Sequence, residues 1–297
     1  MRKLKLPSEV RLLADSTNIY GSRITSFLFP LPTVLLAELR THRLLKWSST
    51  DIHDLDFSIN ANSDRAIPIQ KKIEAVKAFP YLPIPTKANK GMSADEKTDD
   101  KFDLICDFHY KKALKNAIDE AEILANKGAS KQYVNRLLYP FSWSYVVVTG
   151  DNIAWKAFFD LRTKPDVEPN FRQIAQEIES IYKYDTTPHF LKDDEWHLTF
   201  IEEIQELEAK MKRKLTAKER IAVSGSCNAR ISYDINRDET LEKHLERFQR
   251  CVDSGHISIT EHQAICPNLL EIDLLKFKSN VKHWVLARKL LENNIEL

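Results

Sequence analysis

The chain has 297 residues, 43% of them hydrophobic and 29% charged, enough to bury a sizeable core and too apolar for a disordered polymer. A net charge of +1 argues against a broad nucleic-acid-binding surface, and no apolar run is long enough to cross a bilayer. Met1-Arg-Lys-Leu-Lys5 leads into no signal-peptide core, so a cytoplasmic protein is expected. Cys106, Cys227, Cys251 and Cys266 lack C-x-x-C spacing and read as reduced thiols, with neither a disulfide frame nor a metal site. Only six glycines occur, with no G-x-G-x-x-G and no G-x-x-x-x-G-K, which argues against Rossmann and P-loop nucleotide sites.

Residues 8 to 15 and 23 to 29 are rich in branched and aromatic side chains around the turn Asn18 to Ser22, a predicted β-hairpin. Pro32 suits a first helical position, and Val34, Leu35, Glu38, Leu39 and His42 follow at helical spacing. Glu38, Thr41, His42 and Arg43 therefore gather on the last turns of one amphipathic helix. After an acidic stretch comes Ser58-Ile-Asn60-Ala-Asn62-Ser63-Asp64-Arg65, short polar side chains with an arginine that suit a phosphate or ribose cradle. The same pattern also describes a capped helix followed by a solvated loop.

From Pro68 to Asp100 several prolines and alternating charges predict an excursion or lid outside the core. Residues 101 to 127 predict a helix with Leu114, Ala117, Ile118, Ala121 and Leu124 buried, stopped by Gly128. Arg136 falls on a further helical segment ended by Pro140, and Tyr145 to Thr149 (YVVVT) reads as a buried strand. Helices are expected over 154 to 162, ending on Arg162, over 171 to 184, and over 198 to 214 with a charged outer face. Thr216-Ala-Lys-Glu219 is a capping box that starts another helix. Leu241, Leu245, Phe248 and Val252 make one more, terminated by Gly255, and residues 270 to 291 predict an apolar helical tail suited to packing or a subunit interface.

Five short patterns together resemble the flavin-dependent thymidylate synthases. Thr41-His42-Arg43 followed by Ser58-x-Asn60-x-x-Ser63-x-Arg65 is similar to that family's Arg-His-Arg and Ser-x-Asn-Glu-x-Ser-x-Arg. The Thr-His-Arg start and Arg65-Ala66-Ile67-Pro68 resemble a viral-type branch. Arg136 before Tyr139-Pro140, and Val147-Val-Thr149 followed by Phe158-Phe159-Asp160-Leu161-Arg162, resemble the next two elements. Ala229-Arg230-Ile231-Ser232 and His256-Ile-Ser258-Ile-Thr-Glu261-His262 resemble two motifs that open the usual family chain, so the order here is circularly permuted.

The resemblance implies a single α/β (α+β) domain over residues 1 to 297, with a central, mostly antiparallel sheet, flanking helices and an extra C-terminal helix. It implies reductive methylation of dUMP at C5, with methylenetetrahydrofolate as carbon donor, FAD as cofactor and NADPH as reductant. A cytoplasmic homotetramer that shares its active sites between subunits follows, in the host cytoplasm for a viral-type member. Carried over residue by residue, Arg162 and Ser63 are the catalytic candidates, Arg162 because a guanidinium pairs with the O2/N3 edge of uracil. Glu38, Ser63, Asp64, Arg65, Arg136 and Arg162 are the substrate contacts, with Ser63, Arg65 and Arg136 aimed at phosphate. His42, Arg43, Asn60, Asp151, His256, Ser258 and Glu261 occupy flavin-site positions, and no metal is implied.

Two other readings stand beside this one. Asp151, Ile153, Ala157 and Asp166 replace family donors that line the flavin, which favours a nucleotide-binding homologue that has lost flavin. Glu38 and Asp64 favour a related pyrimidine-nucleotide hydroxymethyl or one-carbon transferase. A third class, a partner-binding protein, would use the charged helix 198 to 214 and the tail.

Overall fold

The computed structural model describes residues 3–43, 57–63, 66–88, 97–231, 239–267, 277 and 279–297. In chain order the elements are β1 (Arg11–Thr17), β2 (Arg23–Pro32), α1 (Leu36–Arg40), β3 (Ser58–Ala61), α2 (Ile69–Ala78), α3 (Asp100–Asn126) and α4 (Lys131–Val134). Then follow β4 (Trp143–Asp151), α5 (Asn152–Arg162), α6 (Pro169–Ser180), β5 (His189–Phe190), β6 (Trp196–His197) and α7 (Ile201–Met211). The chain continues through α8 (Ala217–Asn228), α9 (Leu241–Asp253), β7 (Ala264–Ile265), β8 (Val285–Leu286) and α10 (Ala287–Glu292). The expected α/β class is what the fold shows: a five-stranded sheet in the order β3-β4-β2-β1-β5, antiparallel except between β1 and β5, flanked by helices. A small second sheet runs β6-β7-β8.

The predicted hairpin forms, its turn held by Asn18 Oδ1, which accepts the amides of Tyr20 and Ser22 at 3.1 Å each. Strand β2 runs further than its composition suggests, through Pro30 and Pro32. Thr33 N donates to Ser142 O on the β4 side, so the alternating Pro32 and Pro30 turn their nitrogens the other way. On that side pairing with β1 has already ended at Arg11↔Leu28, and no hydrogen bond is lost.

The pleat sorts the sheet into two unlike faces. Phe27, Phe29, Leu31, Ile59, Val146 and Val148 pack under α5 and α6 against Trp155, Phe158, Phe171 and Ile174. The opposite face carries Val147 under α7 and α8 beside Ile204, Leu207 and Val223, but also a line of hydroxyls at Ser16, Ser26 and Thr149. Helix α8 has the predicted capping box, with both reciprocal Thr216–Glu219 bonds present. Gly225 in it admits α9: a Cβ there would sit 2.7 Å from the Phe248 ring.

Several expectations are corrected. The helix foreseen from Pro32 is a tight turn (Thr33–Leu35), one short α-helix and a second tight turn (Thr41–Arg43), with Pro32 ending the strand. Ser58 to Ala61 is a strand, not part of a loop, because Ile59 supplies the buried apolar side and Ser58 and Asn60 face the polar one. The Pro-rich excursion contributes core: Ile73, Val76, Tyr81 and Ile84 are buried, since α2 packs on α3 and on the turn Asn135–Phe141. Residues 89–96 of that excursion lie outside the described residues. Among the described residues of the predicted helical tail, Val285–Leu286 is a strand of the small sheet and Ala287–Glu292 is helical; residues 270–276 and 278 lie outside the described residues. Trp284, Val285, Leu286 and Ala287 are buried in their own chain.

Gly150 lies where β4 meets the aromatic core. A Cβ there would stand 2.5 Å from two Phe57 ring carbons, and Phe57 is itself wedged against Trp155 with centroids 4.5 Å apart. Gly150→Ala is therefore expected to cost about 1–3 kcal/mol by overpacking. A urea midpoint equal to that of the parent chain would refute this packing.

Candidate functional site

Helix α5 begins at Asp151, whose Oδ1 accepts the amides of Ile153 and Ala154 at 2.9 Å, and it ends on Arg162. The Arg162 side chain reaches α1 and the turn after it. Nε donates to His42 Nε2 at 2.9 Å, and Nη1 to Glu38 Oε2 at 3.2 Å. Nη2 donates to the Glu38 carbonyl at 3.0 Å and to Thr41 Oγ1 at 3.1 Å. The guanidinium also lies over the Phe171 ring, 4.9 Å from its centroid. Four of the five guanidinium N–H groups are thus engaged, one from Nε, one from Nη1 and two from Nη2.

The electrostatics follow from this burial. His42 is buried and T-stacked on Phe158, and desolvation plus the adjacent Arg162 charge hold its imidazole down to about 4. It is the neutral acceptor of the Arg162 N–H near pH 7. Glu38 is pushed up from the usual carboxylate range by burial, with Arg162 opposing and Glu168 reinforcing the shift. The site therefore presents one fixed cation, one carboxylate that protonates more readily than usual, and an aromatic floor.

The other sequence-predicted residues are placed as follows. Asp64 and Arg65, and the Arg43 side chain, lie outside the described residues. Arg136 is exposed on the turn Asn135–Phe141. Ser63 is exposed, its carbonyl accepting from Ala66 N at 2.9 Å. Asn60 Nδ2 donates to the Asn228 carbonyl at 2.9 Å. Asp151, besides capping α5, accepts the Lys282 amide on Oδ2 at 2.9 Å. Glu261 is ion-paired with Arg288, His256 is exposed beside Ser254 Oγ at 3.0 Å, and the Ser258 carbonyl accepts Glu261 N. Among the described flavin-position residues, Asn60, Asp151 and Glu261 are committed to internal contacts.

A chain of buried polar groups escaped the sequence reading. Ser16 Oγ meets His197 Nδ1 at 2.9 Å, His197 Nε2 meets Ser26 Oγ at 2.9 Å, Ser26 meets Thr149 Oγ1 at 2.6 Å, and Thr149 meets His262 Nδ1 at 2.9 Å. Of these, only Thr149 and His262 fell inside quoted patterns; nothing local marks Ser16, Ser26 or His197. Full burial holds His197 down to about 4. Burial also raises the thiols of Cys227 and of Cys266, the latter to about 11, so neither offers a thiolate nucleophile near neutrality. Among the described residues no group of three or more His, Cys, Asp or Glu is arranged to hold a metal, and no helix is long and apolar enough to cross a membrane.

Two outcomes follow. Asp151→Ala removes three accepted hydrogen bonds and should cost about 2–4 kcal/mol in urea unfolding. A loss below about 0.5 kcal/mol would show that the carboxylate is not a structural cap. His42 and His197 bind protons more readily when the chain is unfolded, so their contribution to stability is fully present above pH 6.5 and falls as pH drops towards 4. The expected loss is on the order of 1–3 kcal/mol per histidine. His42→Gln should flatten part of that slope, and an unchanged pH profile would contradict the assignment.

No protein-family model matches the chain, and no curated protein matches it by sequence. Among solved structures, the UMP/dUMP methylase PolB from Streptomyces cacaoi bound with 5-Br UMP aligns at TM-score 0.44 and 15% identity, over 61% of this chain and 92% of its own. The same methylase bound with 5-Br dUMP aligns at TM-score 0.41 and 18% identity, over 54% of this chain and 65% of its own.

Proposed function

We propose that the chain is a pyrimidine-mononucleotide enzyme that transfers a one-carbon unit to C5 of dUMP, with Arg162 and Glu38 reading the base edge. The observation that carries this reading is the Arg162 cluster, in which two separated motif elements meet on one guanidinium. The fifth guanidinium N–H can donate to uracil O2, while the ionised Glu38 carboxylate accepts the uracil N3–H. Cytosine carries no proton at N3, so it would require protonated Glu38. In this geometry Arg162 stabilises negative charge that grows on the ring as C5 becomes nucleophilic. Substrate phosphate contacts at Ser63, Arg65 and Arg136 would be completed by a neighbouring subunit of a homotetramer.

FAD, NADPH and methylenetetrahydrofolate belong to this proposal through the motif resemblance. Of the flavin-position residues, Asn60, Asp151 and Glu261 are spent internally, and a carboxylate at Asp151 repels a diphosphate. Those same commitments favour the second reading, a nucleotide-binding homologue without flavin.

Calorimetry with dUMP and dCMP at pH 7.5, with visible absorbance after addition of FAD, separates the readings. Arg162→Lys is expected to weaken dUMP binding by about tenfold or more, because an ammonium cannot reproduce the forked contact. Glu38→Gln should narrow the preference for uracil over cytosine. Equal dUMP affinity in both variants would remove the proposed site, whereas dUMP binding without flavin uptake or turnover would select the non-catalytic reading.

A further inference from the structure

Helix α3 runs for 27 residues, burying Ala121 fully and the others at most in part. Its inner side, with Tyr110, Leu114, Ala117, Ile118 and Leu124, packs on α2 and on the turn Asn135–Phe141. Leu104, Ile105 and Phe108 project from the opposite side, where they are 70%, 51% and 65% exposed. These three adjoin across one helical turn and leave on the order of 350 Å² of apolar surface in water, a size that marks interaction sites.

The charges along the same helix are sorted about this patch. Asp99, Asp100, Asp103 and Asp107, with Lys101, precede Phe108; Lys111, Lys112 and Lys115 follow it, with no acid before Asp119. Asp100, Lys111 and Lys115 are exposed and share one edge of the outer face with Leu104. Lys115 meets Asp119 at 2.7 Å and Lys111 lies 4.0 Å from Asp107, surface pairs that exchange partners at little cost. A parallel neighbour would set acids on acids and bases on bases. An antiparallel copy of this helix, related by a two-fold axis at the patch, sets the acidic end of each on the basic end of the other. The patch is thus complementary to itself in charge as well as in apolar character, which selects a second copy of this chain as its occupant.

We propose that α3 is a self-association face, with two copies of the chain packed antiparallel through Leu104, Ile105 and Phe108. Asp100 of one copy then faces Lys111 and Lys115 of the other, and the contact spans about 24 Å of helix. The two patches together supply about 700 Å² of apolar surface, less than the roughly 1,200 Å² of a stable specific interface. By itself the pair is therefore reversible and depends on concentration. The face lies outside the motifs quoted above and does not rest on the pyrimidine reading.

The test is sedimentation velocity of the full chain from about 1 to 100 µM in about 50 mM salt. Assembly should grow with concentration and weaken at least about tenfold in Phe108→Glu, with an unchanged urea midpoint because that ring stands in solvent. Asp100→Lys alone, and the double variant Lys111→Glu/Lys115→Glu alone, should each associate at least about tenfold more weakly than the parent, and an equimolar mixture of the two should restore pairing. A chain that stays monomeric at about 100 µM, or an assembly untouched by Phe108→Glu, overturns the face. Loss of assembly in Phe108→Glu without rescue in the charge-swapped mixture overturns the antiparallel pairing.

Discussion

The structure depends on the ladder between β2 and β4, which pairs nine residues of each strand from Ile24↔Asp151 to Pro32↔Trp143. Both strands are central, and their pleat separates two environments that the chain uses differently. One side is an aromatic core with Trp155 at its middle; the other mixes aliphatic packing with a hydrogen-bonded row of hydroxyls and imidazoles. A row of this kind is tolerable at full burial only because each member found a partner, and once satisfied it locks register as strongly as apolar packing does. The ladder also sets the ends of the two elements that meet at Arg162: α1 follows the last residues of β2, and α5 follows Asp151.

Arg162 illustrates how function-bearing geometry arises from ordinary parts. The helix that carries it is started by an aspartate cap and seated by Trp155, Phe158 and Phe159 in the core. Its last residue is then left near the edge, where a guanidinium keeps four hydrogen bonds and an aromatic face. The low basicity of His42 is a consequence of the same arrangement, because an imidazolium beside Arg162 would leave two buried cations in contact.

Much of this was legible in the sequence wherever the signal is local. The hairpin, the Gly128 stop of α3, the capping box at Thr216 and the strand around YVVVT all rest on contacts within a few residues. The polar strand Ser58–Ala61 was not legible, because alternation with serine and asparagine reads as a loop until the facing surface is known to be polar. Nor was the core role of residues 69–84, whose prolines suggested a solvated excursion. At the candidate site, Glu38 and His42 could be placed together by their four-residue spacing. Their meeting with Arg162, 120 residues beyond His42, follows only from the path of the sheet.

The contacts of residues 282 and 283 have a consequence for how the molecule is made. Lys282 N binds Asp151, the Lys282 carbonyl accepts Ser22 Oγ, and the His283 carbonyl accepts Asn18 Nδ2. The hairpin is thus sealed by a segment translated some 260 positions later. On the ribosome the early sheet must wait with its turn and one rim open, and chaperone capture is most needed in that interval.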